Sequence, residues 1–513
     1  MKKQSILKRT VSLVLAVVML IIFTSCAATS KGDMDMGDGA PGNYAPNASF
    51  DAMAGSDGEG YTEIVENGFV NADENNTSYF SIDANTASYP NLRSLIARGY
   101  NIPKDAVRVE EMLNYFSYDY KTPEGDDILS LNASIFDTPY NPETKLLTIG
   151  LAAREVEFSN IKNNLVFLID VSGSMYSDDK LPLVQQAFMM LTEALGPEDR
   201  VSIVTYASGD SIPLEGAFGY EKAKIMAAIE DLTAGGSTAG SKGIYAAYNL
   251  AEKYFIEGGN NRVILATDGD FNVGTFTTEG LEALISAKRD SGVYFSVYGF
   301  GRGNLKADKM ETLALKGNGN YSYIDSVKEA KRALVTDIGG SLVTVAKDVK
   351  AGITFNPDYV ESFRLVGYEN KLLTEEEFND SNTDAGELGS GHTVTVVYEI
   401  KMKNEGVFKA DALLSIADVI IKYKPTENSG GNGTEEKELR LGVLNSAYTT
   451  SPTEENLFVA GVVEFALILR DSEYKAEANL EELISTLESL DLSDDEFKTE
   501  FRDLVSYYAE KNK

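Results

Sequence analysis

The sequence predicts an α/β fold, a doubly wound and mainly parallel sheet inserted between flanking β-rich and helical segments. Three observations carry that expectation. Between residues 160 and 340 short apolar runs alternate with segments of helical period. Two of those runs, LVFLID and VILAT, are apolar without alternation, as strands covered on both faces are. On either side of this stretch the texture turns to alternating β sequence, as in LSLNASIFDTPY and GHTVTVVYEI.

The order of elements begins with a leader. Lys2, Lys3, Lys8 and Arg9 precede an apolar run from Val11 to Phe23. A helix of that length spans about 20 Å, short of the roughly 30 Å hydrocarbon core, so residues 1–25 read as a secretory signal rather than a membrane span. Phe23-Thr24-Ser25-Cys26 resembles a bacterial lipobox, in which the cysteine is lipidated and becomes the first mature residue. Phe23 departs from the usual Leu, Val or Ile at its position. Cys26 is the only cysteine of 513 residues, so no intramolecular disulfide can form and stability must come from the core. Residues 26–60 are rich in Gly, Asp, Asn, Ala and Pro without an apolar period and read as a flexible tether. As a coil they would reach about 30–35 Å. The DMDMGDG stretch within it reads as solvated linker, not as a metal tract.

Folded sequence resumes in a segment over 61–159. Apolar spacing of three and four predicts helices over 90–98 and 104–116, and the two alternating runs over 128–157 predict strands. Within the domain at 160–340, strands are expected at 165–170, 200–206, 262–267, 293–299 and 321–324. Helices are expected at 182–195, 221–232, 241–256, 279–291 and 326–338. Leu183, Val184, Ala187, Phe188 and Leu191 give the first of these helices a buried stripe. The last domain, 341–513, begins as strands and ends, from Thr453, as two or three amphipathic helices packed on them. The strands before and after the 160–340 domain suggest that it is inserted into one β-rich unit.

The chemistry concentrates where the first apolar strand ends. LVFLIDVSGSM runs straight into Asp-x-Ser-x-Ser, so Asp170, Ser172 and Ser174 fall on the turn past the strand's carboxyl end, where open α/β sheets place ligands. Gly235-Gly236-Ser237-Thr238 forms a loop between two helical stretches, and ILATDGDFN carries a second strand to Asp268. Two carboxylates and three hydroxyls make an all-oxygen donor set, which favours Mg²⁺, Mn²⁺ or Ca²⁺ over zinc or copper. Short serine and threonine arms on tight loops suit Mg²⁺, which prefers octahedral geometry and keeps several waters. Taken singly, any of these residues could instead cap a helix or close a turn. Asp270 and Asn272, close by, read as support or turn residues rather than ligands.

Together these segments resemble the metal-ion-dependent adhesion site of the von Willebrand factor A (VWA) domains. Asp170, Ser172, Ser174, Thr238 and Asp268 carry the residue types of that family's metal ligands. Around SIDANTASY, VRVEEMLNYF and GHTVTVVYEI the sequence also resembles a family of bacterial VWA lipoproteins, over roughly residues 66 to 510. The resemblance implies a lipid-anchored protein on the extracytoplasmic face of the cell membrane. Its VWA domain would bind a divalent cation, most readily Mg²⁺, and through it an acidic group of an unidentified protein partner.

Charge agrees with a surface role. The chain has 46 Lys+Arg against 79 Asp+Glu and a net charge of −33. Processing at Cys26 would remove four basic residues and no acidic ones, leaving −37. Such a surface repels nucleic acid and anionic headgroups, so attachment to the membrane must come from lipid. Catalysis is not expected. A hydrolase reading of Ser172 or Ser174 lacks a Gly-x-Ser-x-Gly elbow, the sole histidine, His392, falls in a different domain, and no phosphate-binding Gly-rich loop occurs. The rival to adhesion is an envelope scaffold or assembly factor in which the metal is structural.

Overall fold

The computed structural model describes residues 60–82, 84–156, 161–236, 241–269, 278–302, 305–336, 342–404, 406, 408 and 413–512. The signal segment, Cys26, the tether up to residue 59, Thr238, Asp270 and Asn272 lie outside them. The described chain opens with β1 (Val70–Asn71), β2 (Thr77–Ser81), α1 (Ser88–Arg98), α2 (Val109–Asn114) and the hairpin of β3 (Leu129–Asp137) and β4 (Lys145–Ala153). The central domain follows as β5 (Asn163–Asp170), α3 (Leu181–Ala194), β6 (Arg200–Tyr206), β7 (Asp210–Phe218), α4 (Lys222–Glu230), α5 (Ser241–Lys253) and β8 (Asn260–Thr267). It continues through α6 (Thr278–Asp290), β9 (Val293–Phe300), α7 (Ala307–Lys316), β10 (Tyr321–Ile324) and α8 (Val327–Lys331). The chain then runs through β11 (Thr344–Phe355), β12 (Val360–Val366), α9 (Glu375–Asn379), β13 (Gly386–Gly389), β14 (Thr393–Met402), β15 (Ser415–Pro425), β16 (Lys437–Leu444) and β17 (Tyr448–Thr449). Three helices close it: α10 (Glu454–Arg470), α11 (Leu480–Glu488) and α12 (Glu496–Lys511).

The central sheet has the order β10-β9-β8-β5-β6-β7, parallel except for the β6–β7 pair. Every residue of β5 and β8 is buried. Leu165, Phe167 and Ile169 point into one core and Val166 and Leu168 into the other, which explains the unbroken apolar run. The chain leaves β5 toward β6 on one side and returns through β8, β9 and β10 on the other. The topological switch point therefore lies between β5 and β8, and ligand crevices form there.

The flanking segments do pair across the insertion. β4 pairs with β14 (Leu151 opposite Val394), and β2 pairs with β11 (Tyr79 opposite Gly352). Two sheets result among the described residues, β1-β12-β14-β4-β3-β17 and β13-β11-β15-β16. They enclose a core that includes Phe80, Ile149, Leu151, Ile353, Phe363 and Tyr398. The other face of the first sheet, through Phe136, Leu146, Val366 and Val397, packs on α1, α2 and α10 to α12.

Five elements differ from the expectation. The predicted helix over 104–116 splits into a single 3-10 turn at 104–106 and the short α2. α7 and β7 had not been anticipated; β7 is an exposed edge strand carrying Pro213, a residue that edges alone tolerate. The last helix of the central domain is α-helical only to Lys331 and continues as a wider π turn over Arg332–Thr336. Finally, α10 is not amphipathic in the simple sense: Phe458, Val459, Val462, Val463, Phe465 and Ala466 are all buried, because the helix sits between the sheet and its outer neighbours.

Candidate metal centre

Asp170 is the last residue of β5, and Asp268 follows directly on β8, so both carboxylates emerge at the switch point from adjacent parallel strands. Both are fully buried. The backbone N–H of Ser172 donates to Asp170 Oδ1 at 2.8 Å, folding the turn back over the strand end. This turn holds the Ser172 and Ser174 hydroxyls 2.9 Å apart. Ser172 is buried and Ser174 is exposed, giving the site a closed floor and an open mouth. Thr267 Oγ1 lies 3.5 Å from Asp170 Oδ2, the two residues facing each other across β5 and β8.

The second loop arrives by backbone pairing. Gly235 N–H donates to Val171 O at 2.8 Å and Gly173 N–H donates to Gly236 O at 3.0 Å. Gly236 has φ +81°, a left-handed conformation that L side chains rarely adopt. A Cβ there would also stand 2.5 Å from Ser208 Oγ, so the loop can approach this closely only with glycine. Thr238 follows two residues later, outside the described residues. The structure thus sets Asp170 and Asp268 at the ends of adjacent strands, with Ser172 and Ser174 on the turn after Asp170, and it pairs Gly235 and Gly236 with that same turn.

Burial pushes the Asp170 carboxyl up to about 6 despite the hydrogen bonds from Ser172, and the nearby charge of Asp268 adds to the rise. Positive charge is wanted here. Part of it comes from Lys180, whose Nζ lies 2.7 Å from Asp268 Oδ2 with only 9 % of the side chain exposed. Lys180 reaches in from the residue before α3, and its methylenes fill the space that a side chain at Gly301 (φ +64°) would need. A hard divalent cation fits this donor set: carboxylate and hydroxyl oxygens without sulfur or imidazole nitrogen, around the Asp170 carboxylate, which among the described residues pairs with no lysine. Among the described residues no cluster of three or more His, Cys, Asp or Glu side chains forms an alternative metal site.

Sequence reasoning missed Lys180. In Ser177-Asp178-Asp179-Lys180 it reads as one more charge of a solvated turn, and its partner is 88 residues away. It also missed the contribution of the flanking segment to the rim. Arg98, at the end of α1, pairs with Asp179 at 3.2 Å, and the Arg302 guanidinium lies 4.8 Å from the Tyr100 ring.

Comparison with known proteins agrees with this architecture. The model of the von Willebrand factor type A domain matches residues 164–336, and a second von Willebrand factor model matches 56–148. The model described as the C-terminal part of uncharacterized protein YfbK matches 340–510. Uncharacterized protein YfbK of Escherichia coli (strain K12) is 38% identical over 435 residues, covering 81% of this chain and 74% of that protein. The chain belongs to the YfbK family of VWA proteins. Uncharacterized protein sll0103 of Synechocystis sp. is 30% identical over 188 residues, 36% of this chain and 43% of that one. Among solved structures, a von Willebrand factor type A protein from Catenulispora acidiphila aligns with 68% of this chain and 80% of its own at 17% identity and a TM-score of 0.39. In this YfbK-family chain the VWA domain thus carries the switch-point cluster, and the YfbK-type C-terminal domain supplies most of the strands that pair with the N-terminal segment.

Proposed function

We propose that this protein is a non-enzymatic, lipid-anchored surface protein whose VWA domain binds a divalent cation and, through it, an acidic group of a protein partner. VWA domains as a class point to protein–protein interaction or adhesion. The observation that carries the cation reading is the emergence of Asp170 and Asp268 side by side from adjacent parallel strands, with the paired hydroxyls of Ser172 and Ser174 on the turn that follows Asp170. With Thr238 these residues would hold Mg²⁺, or Mn²⁺ or Ca²⁺, and the cation would supply an open coordination position for the partner's carboxylate. Ser174 and Tyr176, the latter 82 % exposed, make the mouth accessible to a macromolecule. The non-enzymatic reading is supported by His392, the sole histidine, which lies half-buried beside β14 in the flanking sheet and is held mostly neutral by desolvation, with a pKa lowered to about 4. Anchoring through Cys26 on the extracytoplasmic face rests on the leader sequence. Among the described residues no helix is long and apolar enough to cross a membrane.

One observation favours the scaffold reading. The Lys180 ammonium already occupies one oxygen of Asp268, so the site has an internal counter-charge and can fold without a cation. Calorimetric titration of Mg²⁺, Mn²⁺ and Ca²⁺ into the full chain separates the two. Saturable binding that is lost in Ser172→Ala/Thr238→Ala, together with partner capture that needs both the ion and these residues, is the expected result. Partner capture unchanged in a variant that no longer binds the ion would establish the scaffold instead. No cation binding to the unaltered chain in the absence or presence of partner would remove the proposal.

A further inference from the structure

The end of the parallel sheet opposite Asp170 holds a second place where chemistry collects. The loops leading into β8, β9 and β10 face the turn between β15 and β16 across a cavity of about 550 Å³. That is within the usual range of small-molecule sites, roughly 300–1,000 Å³. Its walls come from the VWA domain on one side and the YfbK-type domain on the other. Neither domain alone forms it.

Three features describe what would fit. The first is an aromatic surface. Phe255 is 39 % exposed at the cavity wall, and its ring edge rests on Gly292, where a Cβ would approach to 3.3 Å. A phenylalanine left open to solvent in an otherwise polar cleft offers a flat apolar face. The second is an orphaned acceptor. Asn318 lines the cavity and is 4% exposed, yet its Oδ1 accepts no hydrogen bond among the described residues. Its left-handed backbone (φ 48°) explains why asparagine is tolerated there, but glycine would serve that need equally. A buried amide oxygen without a donor costs stability that an incoming O–H or N–H would restore.

The third is the charge. Arg289 lines the cavity but its guanidinium is committed to Asp290 at 3.1 Å and Asp384 at 3.0 Å. With Arg289 and Asp290 set against each other, Glu257 and Glu427 outnumber Lys347, the other lining cation. This surface disfavours phosphate, nucleotide or any other anion. Carboxylates and amide groups around an exposed ring suit a neutral ligand dense in hydroxyls, which both donate to carboxylate and amide oxygens and accept from amide N–H groups.

We propose that this junction cavity binds a neutral oligosaccharide, with a pyranose face packed on Phe255 and hydroxyl groups donated to Asn318 Oδ1 and Glu427. The site is independent of the cation centre, being built from the opposite ends of the same strands. A protein bearing both would hold a glycan and a protein ligand at the two poles of one VWA domain.

The test uses the full chain with two neutral trisaccharides, chitotriose and maltotriose, followed by saturation-transfer NMR and calorimetry. The expected result is saturable binding of at least one, weakened tenfold or more by Phe255→Ala and by Asn318→Gly. Glycine at 318 keeps the left-handed backbone and removes only the amide, and an unchanged circular dichroism melt establishes that the variants are folded. Binding of neither sugar, binding that survives both substitutions, or saturable binding of inorganic phosphate at this cavity would each overturn the proposal.

Discussion

Lys180 offers the sharpest probe of how charge is balanced at the switch-point cluster. Its ammonium is 2.7 Å from Asp268, and the two side chains are 9% and 0% exposed. Removing one partner of such a pair leaves an uncompensated buried charge, at a cost of about 3–5 kcal/mol. Lys180→Met keeps the methylene stem that packs beneath Gly301, so the loss is of charge rather than of volume. At roughly 2–4 °C per kcal/mol for a domain of this size, the apo melting transition should fall by about 6–20 °C. Divalent cation should then restore it. A ligand at a hundred times its dissociation constant contributes about 2.7 kcal/mol. The variant should gain more from Mg²⁺ than the parent does, because in the parent the ion must share Asp268 with the ammonium. The assay is scanning calorimetry of both proteins with EDTA and with millimolar Mg²⁺. The reasoning is refuted if Lys180→Met melts with the parent in EDTA, or if Mg²⁺ shifts the two by the same amount.

Other substitutions address the frame. Burial raises the Glu464 carboxyl to about 7 although the Asn479 N–H donates to it at 3.1 Å. The folded state therefore holds its proton longer than the unfolded chain, and stability falls as pH rises from about 4.5 to 7. Glu464→Gln should gain up to about 3 kcal/mol at pH 8 and nothing near pH 4, measured by urea unfolding at both. For His392 the sign is opposite. Its pKa is lowered to about 4 by burial, with Arg332 contributing, so the unfolded chain takes up the proton first and stability is lost as pH falls from 6.5 toward 4. His392→Phe should flatten that part of the acid profile, by up to about 3 kcal/mol, in the same assay. Arg93→Met should destabilise by about 3–5 kcal/mol and raise amide exchange over 327–336 first, since Asp325 and Glu329 lose their shared counter-ion; uniform exchange across the chain would argue against a local clamp.

What could be read from the sequence follows the reach of each interaction. β5 and β8 were legible because burial on both faces writes an unbroken apolar run, and the Asp-x-Ser-x-Ser turn follows within four residues of the strand end. The N-terminal and C-terminal strands were legible as strands, but nothing local says that Thr393 pairs with Ala152, since register across so long a separation depends on which faces meet in the finished core. β7 was missed because its exposed residues and proline remove the alternation that marks a half-buried strand. Arg93 reads in sequence as a helix surface charge, whereas in the structure it is 9% exposed and bonded to residues 232 and 236 positions away.

That last contact bears on how the VWA domain is held. The chain enters it from β4 in one flanking sheet and leaves it to β11 in the other, so the domain bridges the two layers of the β module. Its final helix is secured from outside. Arg93 of α1 bonds Asp325, Glu329 and Glu500, the Tyr115 hydroxyl donates to Glu329 Oε2 at 2.7 Å, and Lys328 pairs with Glu500 of α12 at 2.6 Å. Burial alone would raise the Glu329 carboxyl, yet Arg332 and Arg93 outweigh it and hold it below the usual range. An ionised, fully buried carboxylate is tolerable only while both guanidiniums remain in place, so this contact cannot loosen gradually. The helix is either clamped by the flanking helices or it is released with several charges to be rehydrated at once. The same α1 that supplies Arg93 ends in Arg98, which pairs with Asp179 in the turn carrying Lys180, so one helix touches both the rim of the switch-point cluster and the terminal helix of the VWA domain. The orientation of the switch-point cluster relative to the flanking module is therefore fixed by charge pairing as well as by the covalent insertion.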